Sequence, residues 1–260
     1  MSKRIGEYRH TRDRLDVRGT SGLSENLTYG EISPRTCWLA GHQAMMQGLQ
    51  GAETFLKELA WREFAYHLAL HTPHIVDGNW RESWNGFPWT DSPDLVRPWT
   101  RGQTGIEVID AAMRELYVTG TMHNRARMLV ASFLTKNLLI DWRVGQQWFA
   151  DCLVDWDPAS NAMGWQWTAG SGPDAAPYFR IFNPESQAEK FDPQRTYRSH
   201  WLDPQGKGAA EFFQAIPKSW KMSPDDPYPS PMVDLAGSRA RALDAYDQMK
   251  HAAEDARTKR

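Results

Sequence analysis

The chain has 260 residues, 41% of them apolar, with 30 Lys and Arg against 32 Asp and Glu and a formal net charge of −2. That balance argues against a disordered chain, and no apolar run approaches the roughly 18 residues of a membrane span, so a cytoplasmic protein is expected. Two Cys argue against a disulfide framework, whereas 13 Trp are an excess that points to stacking, interfaces or electron chemistry, because a buried indole N–H needs a partner.

Residues 1–30 are basic and then Gly- and Ser-rich. Ser33-Pro34 reads as an N-cap followed by Pro at the first helical position, opening a helix to about Gln47. A second amphipathic helix is expected over 53–71, with Leu56, Leu59, Ala60, Phe64 and Leu68 at helical spacing and Glu58, Arg62 and His67 on the other face. The Trp- and Pro-rich stretch 73–104 is too long for a structureless loop unless it is functional or contains short helical turns. Helices follow over 106–118, 124–140 and 143–156. Ile109, Ala112, Met113 and Leu116 point inward in the first, and Leu129, Phe133, Leu134 and Leu138 in the second. Residues 157–184 read as an ordered loop with short helices, 203–232 as a connection and 235–253 as a terminal amphipathic helix. No segment alternates with period two, so the expected architecture is all-α, one compact helical domain over 1–260.

Several clusters could carry chemistry. His67 and His71 share a helix face, but Pro73 ends the helix before His74 can join them and there is no HExxH, so no metal site is expected. The turn Thr20-Ser21-Gly22-Leu23-Ser24 offers hydroxyls and free backbone N–H groups that can wrap a phosphate, although most such clusters are only turns. Arg125 and Arg127, two positions apart in a largely apolar helix, point to different faces. One of them must be buried and needs an anion, for which Asp155 and Asp157 are candidates, and a plain buried ion pair is the bland reading. The densest cluster runs from Asp155 to Trp167. Its two carboxylates, the Asn161 amide and its indoles beside small residues suit a planar ligand bonded at its edge and packed on its face. A paired-carboxylate hydrolase is the competing reading, for which no Ser or Cys nucleophile is suitably placed.

Taken together, Gly19-Thr20-Ser21-Gly22-Leu23-Ser24, Glu58-Leu59-Ala60-Trp61-Arg62-Glu63-Phe64, Met122-His123-Asn124-Arg125, the 155–167 segment and Asp174-Ala175-Ala176-Pro177-Tyr178-Phe179-Arg180-Ile181-Phe182-Asn183-Pro184 resemble the DNA photolyase and cryptochrome flavoproteins. The resemblance is to their C-terminal FAD-binding domain, runs from about Tyr8 to Trp201, and is nearest to class I cyclobutane pyrimidine dimer photolyases. It implies FAD as cofactor, active as reduced FADH−. Tyr8, Thr20, Ser21, Leu23 and Ser24 would hold its phosphates, and Arg62, Asn124, Arg127, Asp155, Asp157 and Asn161 would line the flavin. Asn161 would face flavin N5, where an amide can accept from an N–H. Trp165, Trp142 and Trp89 match an electron-transfer chain from flavin to surface. Glu58, Trp61, Asn124, Met128 and Trp167 match the pocket for a flipped-out dimer, and Arg12, Arg125 and Arg180 match phosphate-contacting positions at its mouth.

The resemblance therefore implies a carbon–carbon lyase. Light absorbed by reduced FAD would drive an electron into the dimer, the cyclobutane ring would split, and the electron would return. Photolyases acting on six-four photoproducts carry His at the positions of Asn124 and Met128, so cyclobutane dimers in UV-damaged DNA are the expected substrate. A blue-light photoreceptor of cryptochrome type without repair activity is the alternative. Family members usually carry an N-terminal α/β antenna domain that this chain does not include. No antenna chromophore is expected here, and an antenna domain on a separate chain and a monomeric state are the further expectations.

Overall fold

Side chains at the helix starts do much of the local work. Ser33 accepts from Arg35 N (3.2 Å), His123 from Arg125 N (3.1 Å), Asp141 from Arg143 N (2.9 Å), Asp157 from Ser160 N (2.6 Å) and Asn183 from Glu185 N (2.9 Å). Each occupies a backbone donor that the first turn leaves unpaired, and three of the five are followed by Pro at the first helical position, where the missing N–H costs nothing.

The computed structural model describes residues 2–175, 177–178 and 180–258. Ala176 and Phe179, both within the 174–184 motif, lie outside them. The helices in chain order are α1 (Ser2–Thr11), α2 (Ser24–Thr28), α3 (Pro34–Met46), α4 (Ala52–His71), α5 (Pro93–Thr100), α6 (Glu107–Thr119) and α7 (Asn124–Ser132). They continue with α8 (Trp142–Cys152), α9 (Pro158–Ala169), α10 (Pro184–Phe191), α11 (Thr196–Leu202), α12 (Lys207–Ala215) and α13 (Leu235–Thr258). Among the described residues there is no sheet, only an isolated bridge between Thr90 and Ile140, so the all-α expectation holds. The 73–104 stretch holds two 3₁₀ turns, Pro73–Val76 and Glu82–Gly86, and the short helix α5. Cys37 and Cys152 are free thiols, and among the described residues no helix is long and apolar enough to cross a membrane.

The main core joins α6 to α9 with α10 and α11. Ile109, Ala112, Met113, Leu116, Leu129, Phe133, Leu134 and Leu138 all lie within it, as their spacing requires. A second cluster of Tyr8, Leu27, Cys37, Phe55, Leu56 and Leu59 joins α1, α3 and α4. The approach of α1 to α4 depends on Gly51, where a Cβ would fall 2.0 Å from the Ile5 carbonyl oxygen. A third, aromatic cluster seats Trp84, Phe87 and Tyr178 on Ala242, Ala245 and Met249 of α13.

Several boundaries differ from the sequence reading. Residues 158–169 form a continuous helix, α9, rather than part of a loop. Its buried residues Ala162, Gln166 and Ala169 back onto Ser160, Asn161, Met163, Gly164, Trp165 and Trp167, which line a cavity, so no polar face marks the period. The helix expected over 124–140 ends at Ser132 and passes into a π-helical turn, Phe133–Asn137. The helix expected to reach Trp156 stops at Cys152. In α4, Ala60 is exposed, and the stripe facing the core is Ala52, Phe55, Leu56, Leu59, Ala65 and Leu68. Helix α1 was hidden by its charge, α10 and α11 by their shortness, and α12 lies inside the segment read as connection.

Candidate functional site

A cavity of about 410 Å³ opens between α4, α7 and α9. Helix α4 contributes Glu58 and Trp61, α7 contributes Asn124, Arg127 and Met128, and α9 contributes Asn161, Trp165 and Trp167; Arg12, Asp155 and Asp157 complete the wall. Segments more than 100 residues apart in sequence thus bring eleven of the expected site residues around one space. Sequence reasoning passed over Trp156, Ser160, Met163 and Gly164, which also line it. Their signal was their place inside the 155–167 cluster, hidden because that segment was not read as a helix with two working faces.

The polar groups of this cavity are held from behind. Arg127 Nη2 donates to both oxygens of Asp155 (3.0 and 2.8 Å) and its Nε to the Met122 carbonyl (2.8 Å). Asp157 receives the Tyr66 hydroxyl while capping α9. Asn161 Nδ2 donates to the Gln146 carbonyl at 3.1 Å. With one of its two amide N–H groups held by the Gln146 carbonyl, Asn161 keeps its Oδ1, the kind of acceptor that a protonated ring nitrogen requires, and one further N–H. Asn124 Nδ2 lies 4.0 Å from Met128 Sδ. Arg62 lies behind the cavity wall rather than in it. It pairs with Glu63 at 2.5 Å, reaches the Leu27 carbonyl at 3.4 Å and stacks on Tyr66 at 4.4 Å.

A second cavity of about 690 Å³ lies among α1, the turn before α2, and α3. Tyr8, Thr20, Ser21 and Leu23 line it, joined by Arg4, Gln43 and Gln47, which sequence reasoning did not single out. Ser24 starts α2 and does not line the space. Hydroxyls, amides and one guanidinium form a donor set suited to phosphate oxygens.

The expected relay residues are buried to different degrees. Trp165 and Trp142 are 2% and 0% exposed, and Trp89 is half-buried. Trp165 in α9 packs edge-on against Phe149 (5.0 Å) and lies against Gly145 in α8, one turn beyond Trp142. The bond from Thr90 N to the Leu139 carbonyl (2.7 Å) ties the Trp89 segment to the turn before Trp142. Trp89 packs at 4.3 Å from Phe87 and 6.2 Å from Trp84. The indole N–H groups of Trp89 and Trp165 are buried without a hydrogen-bond partner, while that of Trp142 donates to Asn79 Oδ1 at 2.9 Å.

In the cavity wall Arg12 pairs with Glu58, and outside the lining Arg125 Nη2 lies 3.0 Å from Asp13 Oδ1. Arg180 is exposed. The His67 and His71 rings lie 4.4 Å apart on the surface, tilted by 51°, and no group of three or more metal-ligating side chains occurs among the described residues.

Two groups behind Arg127 give opposite pH dependence. Burial pushes the Glu115 carboxyl up to about 7, against a bond from the Tyr197 hydroxyl (2.6 Å) and the charge of Arg127. Burial lowers the His123 imidazole to about 4. A raised carboxyl stabilises the fold at low pH and loses that contribution as pH climbs through about 4.5 to 7. A depressed imidazole contributes above about 6.5 and is lost as pH falls toward 4. The two slopes oppose each other across that window. Glu115→Gln removes the first, so its stability should rise with pH between 4 and 6.5, and it should exceed the wild type at pH 8 by about 2 kcal/mol. Urea denaturation at several pH values checks this; parallel profiles for the two proteins would refute it.

Comparison with known proteins places this geometry. Residues 55–248 match the family described as the FAD-binding domain of DNA photolyase. The deoxyribodipyrimidine photo-lyase of Agrobacterium fabrum is 46% identical over 255 residues, covering 94% of this chain and 52% of that protein. A class III photolyase structure from Agrobacterium tumefaciens superposes with a TM-score of 0.84 at 45% identity, covering 95% of this chain and 53% of that one. A Synechocystis cryptochrome superposes at 0.80 with 34% identity, covering 94% and 52%. The chain spans about half the length of these relatives. The class named for the Agrobacterium structure is III, whereas the sequence pointed to class I. The residues present fit FAD: the second cavity carries phosphate-type donors, and the first offers an amide acceptor, two carboxylates and a guanidinium beside aromatic walls.

Proposed function

Because this chain belongs to the family of FAD-binding domains of DNA photolyases, we propose that it repairs cyclobutane pyrimidine dimers in UV-damaged DNA in a light-driven reaction. Bound FAD in its reduced form supplies an excited-state electron donor. The observation that carries the reading is that Glu58, Trp61, Met128 and Trp167 line the same cavity as Arg127, Asp155, Asp157 and Asn161. A lesion and a flavin would then be neighbours in one space.

Each residue has a task that its chemistry allows. Trp61, 44% exposed at the rim, and Trp167 present ring faces on which an extruded lesion can stack, and a dimer that already pairs poorly costs less to extrude. Glu58 accepts hydrogen bonds from a pyrimidine edge once Arg12 shares it. Asn124 and Met128 carry no group that titrates near neutrality, so this part of the pocket suits ring splitting by electron transfer rather than by acid–base chemistry. Asn161 would accept a hydrogen bond from the flavin through Oδ1, and Arg127 with Asp155 fixes the charge beside it. Trp165, Trp142 and Trp89 form the candidate relay. With no base beside the Trp165 or Trp89 indole, and only an amide beside Trp142, each oxidised ring would keep its proton and pass the hole on. Arg12, Arg125 and Arg180 would meet DNA phosphates.

The test uses the purified chain loaded with FAD, reduced in the dark and illuminated with an oligonucleotide containing one thymine dimer. Restoration of thymines that requires both light and protein is expected. A protein that takes up no FAD would overturn the reading, and a yellow protein that leaves the dimer intact would favour a photoreceptor.

A further inference from the structure

Four charged side chains of alternating sign run outward from the wall of the smaller cavity, which Glu58 and Arg12 line, to Asp13 and Arg125 beyond it. Glu58 of α4 is bonded by Arg12, Arg12 Nε lies 3.8 Å from Asp13 Oδ1, and Arg125 Nη2 lies 3.0 Å from the same Asp13 oxygen. A single carboxylate oxygen thus lies within ion-pair range of two of the three guanidiniums expected to meet DNA. Asp13 is not a loose surface acid. Its turn is closed by Arg14 N to the Thr11 carbonyl (3.0 Å) and anchored to the end of α10 by Leu15 N to the Phe191 carbonyl (2.9 Å). Arg125 is fixed as firmly: its backbone N–H is capped by His123, its guanidinium lies 4.5 Å over the Phe191 ring, and its Nε is buried without a partner. The Arg125 and Arg12 side chains are 15% and 20% exposed, and Asp13 is the most open member at 36%.

We propose that Asp13 is a built-in stand-in for a DNA phosphate, occupying an Arg125 donor and lying within ion-pair range of Arg12, so that duplex binds only by displacing it. This rests on the reading of the cavity as a site for damaged DNA. A carboxylate oxygen and a phosphodiester oxygen make the same charge-assisted bonds to guanidinium, so they compete for the same donors. Each phosphate that replaces Asp13 leaves a free carboxylate behind, which draws a cation from solution and offsets the counterion released from DNA. Asp13 therefore restrains backbone binding, damaged or not, and leaves lesion discrimination to the cavity.

The test measures affinity of the FAD-loaded protein for a duplex with and without one thymine dimer between 50 and 200 mM salt. Asp13→Asn should tighten both complexes by about fivefold and steepen the plot of log affinity against log salt by about 0.9. Asp94→Asn, which removes the same charge from α5, should stay within about twofold on net-charge grounds. The gain should vanish in Asp13→Asn/Arg125→Gln. Unchanged or weaker binding by folded Asp13→Asn, a gain confined to damaged duplex, or a gain that survives loss of Arg125 would each overturn the proposal. Should Asp13→Asn not hold FAD, Arg125→Gln alone decides. The stand-in predicts lost affinity with a slope change under about 0.5, and a full change of about 0.9 refutes it. If the wild type binds neither duplex, the DNA-site reading itself has failed, which is a separate outcome.

Discussion

Replacing Gly145 with alanine is expected to destabilise the protein by about 2–3 kcal/mol and to slow light-driven reduction of bound FAD at least tenfold. In an ordinary exposed helix the same change stabilises by about 0.5–1 kcal/mol, because Ala loses less backbone entropy than Gly. Here the added Cβ would stand 2.1 Å from Cη2 of Trp165 and within 2.6 Å of two further ring atoms. Neither partner can yield cheaply. Trp165 is 2% exposed and boxed by Phe149 at 5.0 Å and Trp99 at 6.2 Å, and α8 carries Trp142 one turn earlier. Overpacking of this kind costs about 1–3 kcal/mol and sometimes more, which outweighs the helix gain. A displaced ring also alters the separation over which Trp165 and Trp142 would exchange an electron. Thermal melting and flavin bleaching under blue light measure the two effects. Trp165→Phe in the Gly145→Ala background should recover stability but not bleaching, because the smaller ring relieves the clash and is harder to oxidise. A Gly145→Ala protein as stable as the wild type would refute the packing argument.

The same helix pair shows how far the sequence could be read. The apolar periods of α6 and α7 placed Ile109, Met113, Leu116 and Leu129 in the core correctly, although both helices bury more than one face and α6 also buries Asp110 and Arg114. Helix α9 was misread because both of its faces are used: Ala162 and Ala169 pack inward while Asn161 and Trp167 face a cavity that the buried Trp165 also lines, and Gly, Asn and Trp between them imitate a loop. Helix α1 was missed for the opposite reason, since Lys3, Arg4, Glu7, Arg9 and His10 leave little apolar period and its docking rests on Tyr8 and the close approach at Gly51. The site was legible as residue types but not as pairings. That one of the two arginines in α7 needed an anion followed from their spacing, and Asp155 was among the candidates. Asp13 could not be foreseen as the partner of Arg125, because nothing local links positions 112 residues apart until the turn after α1 is anchored to the end of α10.

Asp155→Ala should bring the largest loss, because it leaves Arg127 facing the cavity with only the Met122 carbonyl as partner. Breaking a buried pair by removing one member costs about 3–5 kcal/mol. The Asp155 side chain is 6% exposed but Arg127 is 28% exposed, so water recovers part of the loss and the lower end, about 3 kcal/mol, is expected in FAD-free protein. Asp155→Asn keeps one acceptor and should lose less than half of that. Stability alone does not separate a structural pair from one that serves the flavin. Asp155→Ala/Arg127→Met separates them, since replacing both charges with apolar groups is often neutral for folding. That double variant should regain most of the lost stability in urea while its affinity for FAD stays at least 100-fold below wild type, because both groups that would meet the flavin edge are gone. Recovery of both quantities would mean that the pair only holds α7 against the segment before α9. Recovery of neither would mean that the cavity has collapsed, and the role assigned to the pair would have to be withdrawn.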